Sequence, residues 1–297
     1  MLLIIFLHSV NEYDFYSSET ARYLLIPSYG TLGCSVFFFL SGYGMFQSLS
    51  CHVVDLKYLY LRLKKLFVPF LVAYILMLVW FMTADMSRDF KWWNVGFLNM
   101  PDGTSLWFFK TVIVNYIVAS LLRKICRSDK CFVYAMLLLY MFLVLLMRIV
   151  FECPGYWYYS TLSFPLGMLL SFHKNVDTRV YMASIIVFAV YYLSLICGYH
   201  KTLLEIAGNL VFPVILIGSL NHIVGYGDYL VGKILIYIGK NSLLFYLLGI
   251  PVMQAINSAY MHWMIYFMLN LLFSYLVVYC YKWCSGKKAK SEVNRKV

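Results

Sequence analysis

Five ionisable residues stand inside long apolar stretches of the chain: His8, Lys110, Arg148, Glu205 and Lys240. Placing such a group in hydrocarbon costs about 2.5–3.5 kcal/mol on insertion scales, so each is a candidate functional position. Arg148 and Glu205 lie within about a turn of a span boundary and are expected to snorkel to water. His8 differs, because imidazole has an ordinary pKa near 6.5 and takes and returns a proton at neutral pH. That is the chemistry of a general base acting on a hydroxyl; the alternative for His8 is a histidine hydrogen-bonded within a helix bundle. Asp14 or Glu12, just beyond it in the sequence, is a candidate to orient its ring, the alternative being an ordinary surface acid. A second set of cations, Lys57, Arg62, Lys64 and Lys65, is crowded into one short stretch, where the ordinary role of such residues is to fix membrane topology.

The cysteines point elsewhere. Eight are present, and none forms CxxC or a Cys/His cluster with zinc-ligand spacing, so no metal site is expected. Cys34 reads as a small buried hydrophobe before it reads as a nucleophile.

The elements that must position these groups follow from composition. The 297 residues are 63% hydrophobic and 12% charged, where a soluble domain carries roughly 25% charged residues. The solvent for most of the chain is therefore lipid. A disordered chain, a disulfide-stapled secreted domain and a nucleic-acid-binding protein are excluded despite a net charge of +11. Apolar windows long enough to cross hydrocarbon as helices recur at 30–49, 66–84, 105–122, 131–151, 156–172, 180–198, 203–221, 234–253 and 261–281. Residues 1–10 form a further apolar fragment that spans only about 15 Å as a helix, half a bilayer. With no basic n-region and no cleavage site, it reads as a first helix lacking its cytoplasmic half, from a misassigned start or a truncated gene. The fold class predicted is all-α, a polytopic membrane bundle of about ten transmembrane helices with the first one truncated.

Alternating the loops across the membrane puts 17 of the 24 cations on one side, including 57–65, 123–130 and the tail. The positive-inside rule makes that side cytoplasmic and places both termini there. The loops near 11–29 and 85–104, on the opposite side, carry Tyr13, Tyr16, Trp92 and Trp93, which suits an interfacial aromatic belt.

Order adds what composition cannot. His8 comes first. The run Phe37-Phe38-Phe39-Leu40-Ser41-Gly42-Tyr43 follows, then Tyr58-Leu59-Tyr60-Leu61-Arg62-Leu63-Lys64-Lys65-Leu66-Phe67-Val68-Pro69 as a basic loop. Leu106-Trp107-Phe108-Phe109 and Ile238-Gly239-Lys240-Asn241-Ser242-Leu243 lie downstream. In this order the motifs resemble the membrane acyltransferase 3 family, integral membrane O-acetyltransferases acting on glycans, across residues 8–248.

The resemblance implies an acyl-CoA-dependent acyltransferase, transferring groups other than amino-acyl groups. Its expected reaction moves acetyl from cytoplasmic acetyl-CoA, or another acyl-CoA, to a hydroxyl of a cell-surface or exported polysaccharide. The family's first-helix histidine falls on His8, and its pair of arginines falls on Arg62 and Lys65. The lysine keeps the charge but lacks bidentate phosphate geometry. Arg62, Lys65, Lys64 and Lys240 are expected to bind the donor, while Trp107, Ser41 and Asp14 are pocket or orienting candidates. The family's basic residue ahead of the histidine would fall before Met1, and Gly249 stands where many members carry a second histidine.

Expected organisation is one transmembrane acyltransferase-like domain over 1–284 with a basic cytoplasmic tail over 285–297, in the plasma (inner) membrane. Acyl-CoA, a carbohydrate acceptor and membrane lipid are the expected partners, with no bound cofactor and no nucleic acid. A polytopic glycan or lipid transporter, or a non-catalytic partner of a polysaccharide assembly machine, is the alternative.

Overall fold

The structure, a computed structural model, describes residues 29–52, 55–83, 106–173, 177–197, 199, 202–223, 241, 245–247, 268–269 and 271–281. His8, Asp14, Lys240, the 1–10 fragment and the 285–297 tail lie outside these residues. Every described element is helical, and the described residues contain no strand. The helices are α1 (Tyr29–Cys51), α2 (Leu56–Thr83), α3 (Trp107–Ile125), α4 (Asp129–Ile149), α5 (Ser163–His173), α6 (Thr178–Ile196), α7 (Thr202–Ile223) and α8 (Leu271–Tyr281). Among the described residues, Gly30–Cys51, Asp129–Ile149, Thr178–Ile196 and Thr202–Ser219 are long and apolar enough to cross a membrane. These features make the chain an integral membrane protein.

The chain folds as two compact units, each built from separated segments. One comprises 1–15, 65–105 and 229–297, the other 16–64 and 106–228. In the first unit, α2 buries Leu66, Phe70, Ala73, Tyr74 and Met77, a stripe at helical spacing, and α8 buries Ser274 and Val278 one turn apart.

The second unit holds most of the candidate site. Here α5 is central: it packs on α1, α4 and α7, while α3 packs on α1 and α4, and α6 on α7. The fit of α1 to α5 depends on glycine. A Cβ on Gly42 would strike the carbonyl of Phe164, and one on Gly167 would strike the carbonyl of Phe39. Lipid tails are as apolar as leucine, so close backbone approach and aromatic interlocking, rather than water exclusion, hold such helices together. Outward faces remain apolar, as at Leu138, Phe142 and Leu145 of α4 and Ile186, Val190 and Leu193 of α6.

Local chemistry explains the helix boundaries. Asp55 caps α2, its Oδ1 accepting from the Tyr58 N–H at 2.6 Å. Ser128 caps α4 by accepting from the Cys131 N–H at 3.1 Å, and Asp177 caps α6 through the Arg179 N–H at 3.0 Å. Two expectations change as a result. The basic stretch around Arg62 is the opening of α2 and not a loop, because Asp55 starts the helix well ahead of the apolar window. The window 156–172 is not one continuous helix: a short 3-10 turn at Gly155–Trp157 and turns over 158–162 precede the 11-residue α5. The Thr161 hydroxyl donates to the Tyr158 carbonyl at 3.0 Å, a local bond that competes with the helical ladder.

Candidate active site

Arg62 sits on the second turn of α2, half-buried, with its guanidinium carbon 5.5 Å from the ring centroid of Tyr58. The spacing of four residues brings these two side chains onto one helical face. The Tyr58 hydroxyl in turn reaches Met45 Sδ on α1 at 3.7 Å. Tyr116 of α3 is hydrogen-bonded to Ser41 of α1 and lies within electrostatic reach of both Arg62 and Tyr58. Three helices thus converge at one point, and Ser41, Tyr58, Arg62 and Tyr116 form a single cluster.

Its chemistry is that of a partly desolvated cation ringed by phenols and a hydroxyl. A guanidinium offers a planar fork to phosphate or carboxylate oxygens, and partial burial orients it for that bidentate contact. The other sequence-predicted cations are placed differently. Lys65, one turn further along α2, is exposed, as are Lys57 and Lys64. Lys64 lies over the ring of Tyr60, Nζ 6.0 Å from the centroid. The structure therefore brings together Ser41 and Arg62 and leaves Lys64 and Lys65 on the surface.

Trp107 opens α3 beside the aromatic run of α1. Its ring centroid is 6.3 Å from Phe38, and its backbone carbonyl accepts from the Thr111 hydroxyl at 2.8 Å. Phe108 meets Phe37 edge-on and tilts against Phe38, both at 4.9 Å. Each such aromatic pair contributes about 0.5–1.5 kcal/mol beyond burial. The two sequence motifs around Ser41 and Trp107 are therefore one packed wall.

Glu205 corrects an expectation. It does not reach water but is 7% exposed, with the Tyr191 hydroxyl donating to its Oε2 at 3.0 Å. Arg148, by contrast, is exposed. The reason is local: Tyr191 packs flat on Gly208, where a Cβ would strike its ring, and so its hydroxyl is carried to the Glu205 carboxyl one turn earlier on α7. Sequence reading also passed over the neutral polar residues of the spans. Asn209 donates from Nδ2 to the Glu205 backbone carbonyl at 2.8 Å, and its backbone carbonyl accepts from Ser163 Oγ at 3.1 Å. Asn115 accepts a buried hydrogen bond from Tyr140. An amide within an apolar window was the available signal, since a polar group in hydrocarbon needs a partner whether or not it ionises.

Among the described residues, no three His, Cys, Asp or Glu side chains gather as a metal-binding group.

Comparison with known proteins gives one match. A family model of an acyltransferase domain, that of the acyltransferase 3 family, matches residues 1–283. No curated protein and no solved structure matches. The matched span covers nearly all 297 residues and includes the α1 motif, the Arg62 cluster and the Trp107 wall; the chain belongs to the acyltransferase 3 family.

Proposed function

We propose that the protein transfers acetyl from cytoplasmic acetyl-CoA to a hydroxyl of a cell-surface or exported polysaccharide. The observation that carries this reading is the Arg62 cluster: a half-buried guanidinium tied through Tyr58 and Tyr116 to the Ser41 segment of α1. A CoA thioester carries several phosphates on a long arm, and one oriented guanidinium with Lys64 and Lys65 at the rim suits that shape. Lys240 would act further along the route.

In the transfer step, His8 removes the proton from the acceptor hydroxyl as its oxygen attacks the thioester carbonyl. The carbon–oxygen bond forms, the carbon–sulfur bond breaks, and the proton passes from imidazolium to the leaving thiolate. General-base assistance of this kind contributes about 10²–10⁴-fold. An acyl-histidine relay is the covalent form of the same chemistry: a neutral His8 nitrogen attacks the thioester carbonyl, the carbon–sulfur bond breaks and the imidazole proton leaves with the CoA thiol, and the acceptor hydroxyl then attacks the acyl-imidazole, its proton returning to His8 as the carbon–nitrogen bond breaks. Asp14 would orient the imidazole, and Trp107 would line the acyl pocket. Residues 1–284 act as one catalytic domain in the plasma (inner) membrane, both termini cytoplasmic, with 285–297 a basic tail.

The broken segment before α5 favours a second reading, a glycan or lipid transporter, since transporters build sites from discontinuous helices. Labelled acetyl-CoA separates the two. Transfer of label to surface polysaccharide, lost in His8→Ala, supports the acyltransferase. Wild-type protein that neither transfers nor hydrolyses the donor overturns it.

A further inference from the structure

The break between α4 and α5 lies deep in its unit. Phe164, the second residue of α5, stacks on Tyr140 at 6.1 Å, and Tyr140 stands nine residues short of the end of α4, about 14 Å along the helix axis. Irregular backbone at such depth survives only where it is enclosed by protein or lines a polar cavity. Tyr158, Ser160, Thr161 and Leu162 are all buried, so the turn faces protein and not lipid.

The groups gathered there are polar and incompletely satisfied. Ser160 and Asn209 are fully buried, yet Ser160 Oγ and Asn209 Oδ1 have no hydrogen-bond partner among the described residues. Ser163 joins them: its N–H donates to the Ser160 backbone carbonyl at 3.1 Å and its hydroxyl to the Asn209 backbone carbonyl at 3.1 Å. One turn before Asn209, the buried Glu205 carboxyl is held by Tyr191 at 3.0 Å. Tyr159, hydrogen-bonded to Thr202, stands beside Glu205 toward the end where α4, α6 and α7 meet their connections. A buried amide oxygen without a donor carries a penalty of about 1–3 kcal/mol, which a ligand hydroxyl would remove.

We propose that Ser160, Asn209 and the Glu205–Tyr191 pair form the recognition site for the acceptor, a sugar presenting free hydroxyls, entering from the end of the unit opposite the Arg62 cluster. The chemistry matches the class: amide and carboxyl oxygens accept from hydroxyls, and Tyr159, half-buried and edge to face with Tyr158 at 5.1 Å, offers a ring surface to sugar C–H groups. This site rests on the acyltransferase reading but uses none of the donor-binding residues.

The test measures acetyl transfer from labelled acetyl-CoA to chemically de-O-acetylated surface polysaccharide of the producing cell, with both KM values determined. Asn209→Leu and Tyr191→Phe should each raise the polysaccharide KM by about tenfold while the acetyl-CoA KM stays within about twofold. Asn209→Asp, which retains an oxygen acceptor, should recover part of the loss. Ser160→Ala, a minimal truncation, covers the case in which Asn209→Leu fails to fold and should raise the same KM. An unchanged polysaccharide KM in Ser160→Ala and Tyr191→Phe, or equal rises in both KM values, overturns the acceptor site. Wild-type protein that processes no donor overturns the acyltransferase reading instead.

Discussion

Gly42 and Gly167 are reciprocal: each lies against the backbone carbonyl that precedes the other's face, Phe164 O for Gly42 and Phe39 O for Gly167. The crossing admits no side chain on either helix. Gly42→Ala and Gly167→Ala should each destabilise the protein by about 1–3 kcal/mol, because rigid backbone must move to admit the methyl group. Gly44, with open space around its Cβ position, is the internal control, and Gly44→Ala should hold or slightly raise the melting temperature in detergent. Thermal unfolding of the three purified variants checks the order.

Gly42 of the glycine crossing lies in the Ser41-Gly42-Tyr43 run that the sequence order singles out, whereas its partner Gly167 lies in no motif. Window hydropathy located α1, α3, α4, α6 and α7 to within a few residues because length and apolarity suffice for a lipid-facing helix. It misread 156–172, since Tyr, Trp, Leu and Phe count equally in a turn and in a helix, while Thr161 bonding the Tyr158 carbonyl decides the backbone. It also placed Arg62 in a loop, because the cap at Asp55 acts through one hydrogen bond that hydropathy does not register. The candidate site divides the same way. Arg62 and Ser41 were legible as motif residues, whereas Tyr116, which joins them, and Asn209 and Tyr191 are ordinary span residues until tertiary packing sets their partners.

Tyr116 supplies the second prediction. Tyr116→Phe deletes the hydrogen bond to Ser41 and keeps the ring near Phe164, 6.5 Å away between centroids. The hydroxyl joins the α1 segment to the face carrying Arg62, so its loss should raise the acetyl-CoA KM by a few-fold, the equivalent of about 0.5–1.5 kcal/mol. Stability should change little. A KM unchanged within error would separate Tyr116 from donor binding.

Arg62 and Lys57 make a discriminating pair. Both are cations at the start of α2, but Arg62 is half-buried against Tyr58 and Lys57 is exposed. Arg62→Ala should weaken acetyl-CoA binding by about tenfold or more, and Lys57→Ala by less than about twofold, since exposed charges contribute little. Arg62→Lys should recover only part of the loss, because an ammonium lacks the planar fork. Isothermal titration with the non-transferable donor product CoA reads the difference; equal, small effects for both positions would make these charges topology determinants only.

Sidedness gives the last prediction. The positive-inside expectation is a cytoplasmic α3–α4 connection and an α6–α7 connection on the opposite side, and an exposed cysteine marks each: Cys131 for the first and Cys197 for the second. Cys131 is the better reporter of its pair. Cys126, 3.7 Å away sulfur to sulfur, has its thiol pKa raised by burial and by its hydrogen bond to Cys131, so less of it is the reactive thiolate at neutral pH. In single-cysteine proteins in intact cells, a membrane-impermeant maleimide should label Cys197 and spare Cys131, and permeabilising the cells should expose Cys131. The reverse pattern would invert the bundle. The Arg62 cluster would then face away from the cytoplasmic acetyl-CoA pool, and the Ser160–Asn209 site would face it, so this one labelling experiment decides which end of the unit meets the donor and which the acceptor.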